Sequence, residues 1–298
     1  MFGAFFIFDE QRLVGSGTWV KSFYDIARKN QWILLSATPG DKWIDYIPVF
    51  VANGFYRNKT DFNARHVIFA RFSKYPIIQG YYNKGILEKH RRDITVDIPH
   101  ESDIEKYYIN VWCDYDVANY RRVWRDRYDI YEDEPIEETG KLLYTIRKVV
   151  NSDESRIRAL ESICSGCSRV IIFYNFTYEL LMLRECLRRL GFDIGEWNGQ
   201  VHTKIPDSDR WAYLVQYSAG CEGWNCTLTN VMIFFSQNYS YRMTVQAEGR
   251  IERRNTPFKE LIYYRFKSRA PIDLAITKAL KEKQNFNERN FIRRKSNE

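Results

Sequence analysis

The sequence predicts an α/β protein built on parallel sheets, and two patterns carry that prediction. Short apolar runs alternate with amphipathic helical periods along most of the chain, and polar clusters follow the carboxyl ends of several runs. Ligands of open parallel sheets collect at such ends. The 298 residues are enough for two domains, each with its own core.

Residues 4–8 form the first apolar run, which stops at Asp9-Glu10. A helical period over residues 18–29 places Trp19, Phe23 and Ile26 on one face, and residues 32–35 form a second run ending in Ser36-Ala37-Thr38-Pro39. Strand, helix, strand predicts a parallel βαβ unit. Residues 55–98 have a mixed pattern to which no element is assigned. Residues 129–138 hold six carboxylates, Pro135 and no clear period, which predicts an exposed connector. Residues 169–174 read as a strand, and Thr177 caps a helix with Leu180, Leu183, Leu187 and Leu190 on one face before Gly191 ends it. Residues 192–197, 211–217, 230–235 and 260–266 read as further strands, and 241–254 as a helix. Pro271 opens a last helix through residue 283. The expected organisation is a first lobe at 1–98, a connector at 99–150, a second lobe at 151–284 and a basic tail at 285–298.

Composition narrows the class. With 45% apolar and 28% charged residues, and only 15 Gly and 8 Pro, the chain is neither disordered nor collagen-like. No apolar run approaches the roughly 18 residues of a membrane span. The apolar start lacks the basic region and cleavage site of a secretory signal, so the sequence reads as cytosolic with no membrane partner, its six cysteines as reduced thiols. Net charge is +7, and residues 281–298 carry six bases against three acids. That favours an anionic partner, nucleic acid or nucleotide, although a solvated basic surface is the simpler reading.

Four constellations bear on chemistry. Asp9-Glu10, an acidic pair at a strand end, suits magnesium binding and activation of an attacking water, but on the dipeptide alone two solvated carboxylates are the simpler reading. Ser36, Ala37 and Thr38 offer hydroxyls at the next strand end, where turn residues are also ordinary. In residues 218–225, Gly220 and Gly223 permit close approach of backbone to a phosphate or a nucleic-acid strand, with Glu222 and Asn225 as polar contacts, or they make a plain turn. In residues 246–254, helical spacing would put Gln246, Arg250 and Arg253 on one face, two guanidiniums and an amide aimed at one ligand. The alternative is a solvated basic helix, in which Gly249 is a costly choice. Cys164 and Cys167 lack a matching second pair for zinc. Arg121, Arg122, Trp124, Arg125 and Arg127 would contact a phosphate backbone, or sit in water over an inward face of Val117, Tyr120 and Trp124.

Taken in order, these segments resemble superfamily 2 helicases, most closely the Swi/Snf-like translocase branch with its small phage-encoded members. Residues 5–12 resemble motif II, Ser36-Ala37-Thr38 motif III, residues 169–176 motif IV, residues 218–225 motif V and residues 246–253 motif VI. Pro271-Ile272-Asp273 resembles that branch's closing element. The resemblance spans nearly the whole chain, with Gln11-Arg12 where the family often has histidine. It implies two RecA-like, P-loop NTPase-type lobes with parallel sheets and ATP bound between them. It further implies that Asp9 holds Mg2+ through water and Glu10 activates the attacking water. Arg250 and Arg253 become arginine fingers, with Gln246 near the γ-phosphate. Ser36 and Thr38 would couple nucleotide to DNA, and Gly220, Glu222, Gly223 and Asn225 would link lobe closure to the nucleic-acid track.

The family's Gly-x-x-x-x-Gly-Lys-Ser/Thr loop, which precedes motif II, is absent from these residues. Residues 53–60 end in Lys-Thr but carry asparagine at both glycine positions and follow motif II, so they are rejected. The sequence thus reads as a first lobe truncated at its N-terminus plus a complete second lobe, the C-terminal portion of an ATP-dependent helicase or translocase on double-stranded DNA, gripped by its backbone. The alternatives are a non-catalytic DNA- or partner-binding fragment, the second piece of a split enzyme whose phosphate loop lies on a separate polypeptide, or an unrelated α/β transferase.

Overall fold

The computed structural model of the chain describes residues 2–9, 13–36, 40, 42–70, 76–96, 103–220, 224–282, 285–288 and 291–292. It divides into two compact units, Met1–His100 and Glu101–Glu298.

In the first unit β1 (Phe5–Phe8), α1 (Thr18–Ala27) and β2 (Gln31–Leu34) make the expected parallel βαβ, with Phe8 opposite Leu34. Strand alternation turns Phe6, Phe8, Trp32 and Leu34 toward one core, where the rings of Phe23 and Trp32 lie 4.9 Å apart. Phe5, Ile7 and Ile33 alternate outward and stay exposed. The buried stripe of α1 runs through Val20 and Phe23, which rotates Trp19, expected inside, to 50% exposure.

A 3-10 turn (Trp43–Tyr46) leads to α2 (Ile47–Ala52), α3 (Lys59–His66), the antiparallel pair β3 (Val67–Phe69) and β4 (Ile78–Tyr81), and α4 (Lys84–Ile94). Their core is Phe50, Phe62 and Leu87, all fully buried. Residues 53–60 are a helix end and a helix start. Gly54 takes the left-handed φ of +78° after α2, and Asn58 caps α3 by accepting the Asp61 N–H.

The second unit follows as β5 (Glu105–Cys113), α5 (Val117–Asp126), the hairpin β6 (Tyr128–Asp129) and β7 (Glu134–Pro135), α6 (Thr139–Asn151) and α7 (Glu154–Ser165). Then come β8 (Arg169–Tyr174), α8 (Thr177–Arg189), β9 (Asp193–Trp197), β10 (Trp211–Gln216) and the single turn α9 (Tyr217–Gly220). The chain closes with β11 (Val231–Phe234), α10 (Tyr241–Glu248), β12 (Glu260–Ser268) and α11 (Pro271–Lys281). Six of these strands form one parallel sheet in the order β5-β12-β11-β8-β10-β9. The α/β class and parallel sheet expected from sequence are therefore present. β8 and β10 read as unbroken apolar runs because both their faces are covered: Val170, Ile172 and Tyr174 enter one core, Ile171 and Phe173 the other.

Residues 99–150, read from sequence as a connector, instead supply the edge strand β5, in nine-residue register with β12, and the helices α5 and α6. Acid-rich 129–138 is a folded hairpin. Asp129 is 3% exposed and accepts the N–H of Tyr131 and of Glu132 and the Thr145 hydroxyl. Lys141 pairs with Glu132 and Glu134.

Candidate functional site

In the first unit the β1 and β2 ends stand side by side, since the Leu35 N–H donates to the Phe8 carbonyl at 2.8 Å. Asp9 and Ser36 follow these neighbouring carboxyl ends, and both are exposed. Glu10, Ala37 and Thr38 lie outside the described residues, as do Gln11, Arg12, Glu222 and Gly223. Among the described residues no group of three or more His, Cys, Asp or Glu is placed to hold a metal ion.

In the second unit the direction of winding reverses between β8 and β11, the place where doubly wound sheets hold ligands. A polar network occupies the carboxyl ends of these two strands. Asn175 donates through Nδ2 to Ser236 Oγ at 2.7 Å and to the Gln237 carbonyl at 3.1 Å, while its Oδ1 accepts from Asn238 at 2.8 Å. Buried Glu179 fixes the network from α8. Its oxygens accept the Asn175 N–H at 2.7 Å, Ser236 Oγ at 2.9 Å and Asn151 Nδ2 at 2.8 Å.

The loop after β10 and the arginine segment, separate in sequence, are brought together here. Arg250 is 5% exposed and donates through Nη1 to the Trp224 carbonyl at 2.9 Å, while the Cys226 N–H donates to the Arg250 carbonyl at 3.0 Å. Two indoles hold the turn: Trp197 Nε1 donates to the Ala219 carbonyl and Trp224 Nε1 to the Gly220 carbonyl. Gly220 has a packing reason, because a Cβ there would fall 1.9 Å from Val215 Cγ1. Asn225 is exposed.

The expected helix over 241–254 is corrected: α10 stops at Glu248, so Arg250 and Arg253 do not share a helical face with Gln246. Gly249 closes the last turn onto Val245 at 3.1 Å, and the bond from Cys226 draws Arg250 out of helical register. A Cβ on Gly249 would make only ordinary contacts, so packing does not demand glycine there. Gln246 and Arg253 are half-buried. Arg253 Nε is buried with no hydrogen-bond partner among the described residues, an orphan donor of the kind a bound anion satisfies.

Burial pushes the Cys164 and Cys167 thiols up, and Cys167 Sγ donates to the Ile163 carbonyl. On α5, Tyr120 and Val123 turn inward, Val117 is exposed, and Arg121, Arg122 and Arg125 face solvent.

Sequence reading missed a charge cluster centred on β12. Arg265 Nη2 donates to Glu248 Oε1 at 2.5 Å, and the Tyr108 hydroxyl donates to Glu248 Oε2 at 3.2 Å. Burial, with Glu248 adding to it, pushes the Tyr108 hydroxyl up to about 12. Burial pushes the Glu248 carboxyl up against the opposing pull of Arg265. Two residues on, Lys267 is 8% exposed, and burial, reinforced by Arg265 and Lys281, lowers its ammonium to about 8. The only sequence signal was a pair of bases inside an otherwise apolar strand.

Three comparisons bear on this geometry. The acetone carboxylase gamma subunit family model matches residues 91–175, under a third of the chain, a span that leaves out Asp9, Ser36 and residues 218–225 and 246–254. No curated protein matches. Among solved structures, the C-terminal part of the Fun30 ATPase domain is 14% identical with a TM-score of 0.46, over 63% of this chain and 94% of that one. The Sulfolobus solfataricus SWI2/SNF2 ATPase core in complex with dsDNA is 17% identical with a TM-score of 0.44, over 97% of this chain and 68% of that one.

Proposed function

We propose that the chain is the motif II to motif VI portion of a superfamily 2, Swi/Snf-like ATPase that translocates on double-stranded DNA through backbone contacts. The observation that carries the reading is the ordered set Asp9, Ser36, residues 218–225 and residues 246–253. Its described members in the first unit follow parallel strand ends, and in the second unit the loop and Arg250 are hydrogen-bonded to each other.

The residues then divide the labour. Asp9 is a hard oxygen donor exposed at a strand end, which suits an ion that keeps most of its waters, so Asp9 fits Mg2+. Bound with ATP, that ion would neutralise charge developing on the phosphates. Glu10 would orient and deprotonate the attacking water. Arg253 is the better arginine finger, because Arg250 has its Nη1 committed to the Trp224 carbonyl. Arg250 has its Nη1 on the Trp224 carbonyl, so it transmits movement of the arginine segment to the residue 218–225 loop. Ser36 and Thr38 in the first unit, and Gly220, Glu222, Gly223 and Asn225 in the second, would couple that movement to DNA. These 298 residues hold no phosphate-loop lysine. In this reading it comes from chain outside them or from a separate polypeptide.

The test is ATP turnover by the chain supplied with a polypeptide bearing the phosphate loop, measured with and without duplex DNA. Turnover stimulated by DNA and reduced about 100-fold or more by Glu10→Gln is expected. Turnover indifferent to both overturns the proposal.

A further inference from the structure

Within the second unit, α10, the strands β5 and β12 and the end of α11 enclose a cavity of about 390 Å3. That volume falls in the range of about 300–1,000 Å3 usual for small-molecule sites. None of Asp9, Ser36, Gln246, Arg250 or Arg253 lines it.

The charges in its wall do not balance. Glu248 is matched by Arg265, and its second oxygen accepts from Tyr108. Lys267 and Lys281 remain. Lys267 is more than nine-tenths buried yet has no hydrogen-bond or carboxylate partner among the described residues. The nearby Asp273 carboxylate is engaged by Arg156 and by the N–H and hydroxyl of Ser268. The Lys267 stem is buried while its ammonium nitrogen keeps access to the cavity, where an anionic ligand would replace water and supply the counter-ion. The rest of the wall is aromatic. Tyr108, Tyr217, Phe234 and Tyr241 line it, surfaces on which a flat ring stacks or sits edge-on.

We propose that this cavity binds a small aromatic anion, a ring with a carboxylate or phosphate head, and that Lys267 is the charge that receives the head. Calorimetric titration of the full chain with 1-naphthoate and with adenosine 5′-monophosphate tests it, each being a ring with one of the two heads. At least one probe binds at a single site, and the one that binds tighter identifies the head. Lys267→Met keeps the stem and removes the charge, so it weakens that binding about tenfold or more. Asn110→Trp fills the cavity from the exposed edge strand and abolishes binding without touching the core, which keeps the test decisive should the first variant fold poorly. Failure of both probes to bind at millimolar concentration overturns the proposal, as does binding unchanged in the folded Lys267→Met protein. Inorganic phosphate binding as tightly as the better probe overturns the aromatic part.

Discussion

At Asp273 a buried carboxylate collects the Arg156 guanidinium at 3.0 Å, the Ser268 N–H at 2.9 Å and the Ser268 hydroxyl at 2.8 Å. Arg156 also donates to the Phe235 carbonyl at 2.7 Å, so one pair joins α7, the residue that follows β11, and α11. Asp273→Ala leaves a buried guanidinium uncompensated and is expected to cost about 3–5 kcal/mol, read from urea melts. Lys267 gives a pH signature. Its ammonium titrates near 8 when folded against 10.5 ordinarily, so between those values the unfolded chain holds more protons and stability rises with pH. Below 8 the burial penalty is fully present. Lys267→Met is therefore more stable than the parent near neutral pH, by a margin that shrinks as pH climbs toward 10.5, in melts run at several pH values. The acid at the end of β1, the hydroxyl residue after β2 and the arginines could be named from sequence because each follows a recognisable run. The partners of Asp273, the burial of Lys267 and the close packing at Gly220 could not, since burial and close approach arise from contacts between distant segments.

At the level of elements, β8, β10 and β11 were legible because strands covered on both faces leave unbroken apolar runs, and β1 and β2 because short apolar runs flank an amphipathic helix. β5 was not legible. Its side chains are mostly exposed, so its sequence shows no core period, and only pairing with β12 makes it a strand. The end of α10 escaped notice for a related reason: the bond from Cys226 to Arg250 that terminates it is long-range. The units also differ in how deeply their strands are covered. In native-state hydrogen exchange the amides of β8 and β10 are expected to be the slowest of the chain, and those of the two-stranded β1 and β2 pair the fastest among its strands. Equal protection of the two sets would show that the pair is covered more completely than its own contacts provide.

For the whole molecule, the division at residue 100 gives the second unit its own six-stranded sheet and three cores. A fragment of residues 101–298 is expected to unfold in one cooperative transition, followed by far-UV and near-UV circular dichroism together. Among the described residues no helix is long and apolar enough to cross a membrane. In the proposed function the arginine segment acts on the transferring phosphate of ATP. Two adjacent arginines separate that role from a general basic surface, because Arg253 is half-buried, its Nε unpartnered among the described residues, while Arg254 is exposed. In DNA-stimulated ATP turnover with the phosphate loop supplied, Arg253→Ala is expected to lose about 100-fold or more and Arg254→Ala no more than about twofold. Equal effects of the two substitutions, or none from either, would contradict the account.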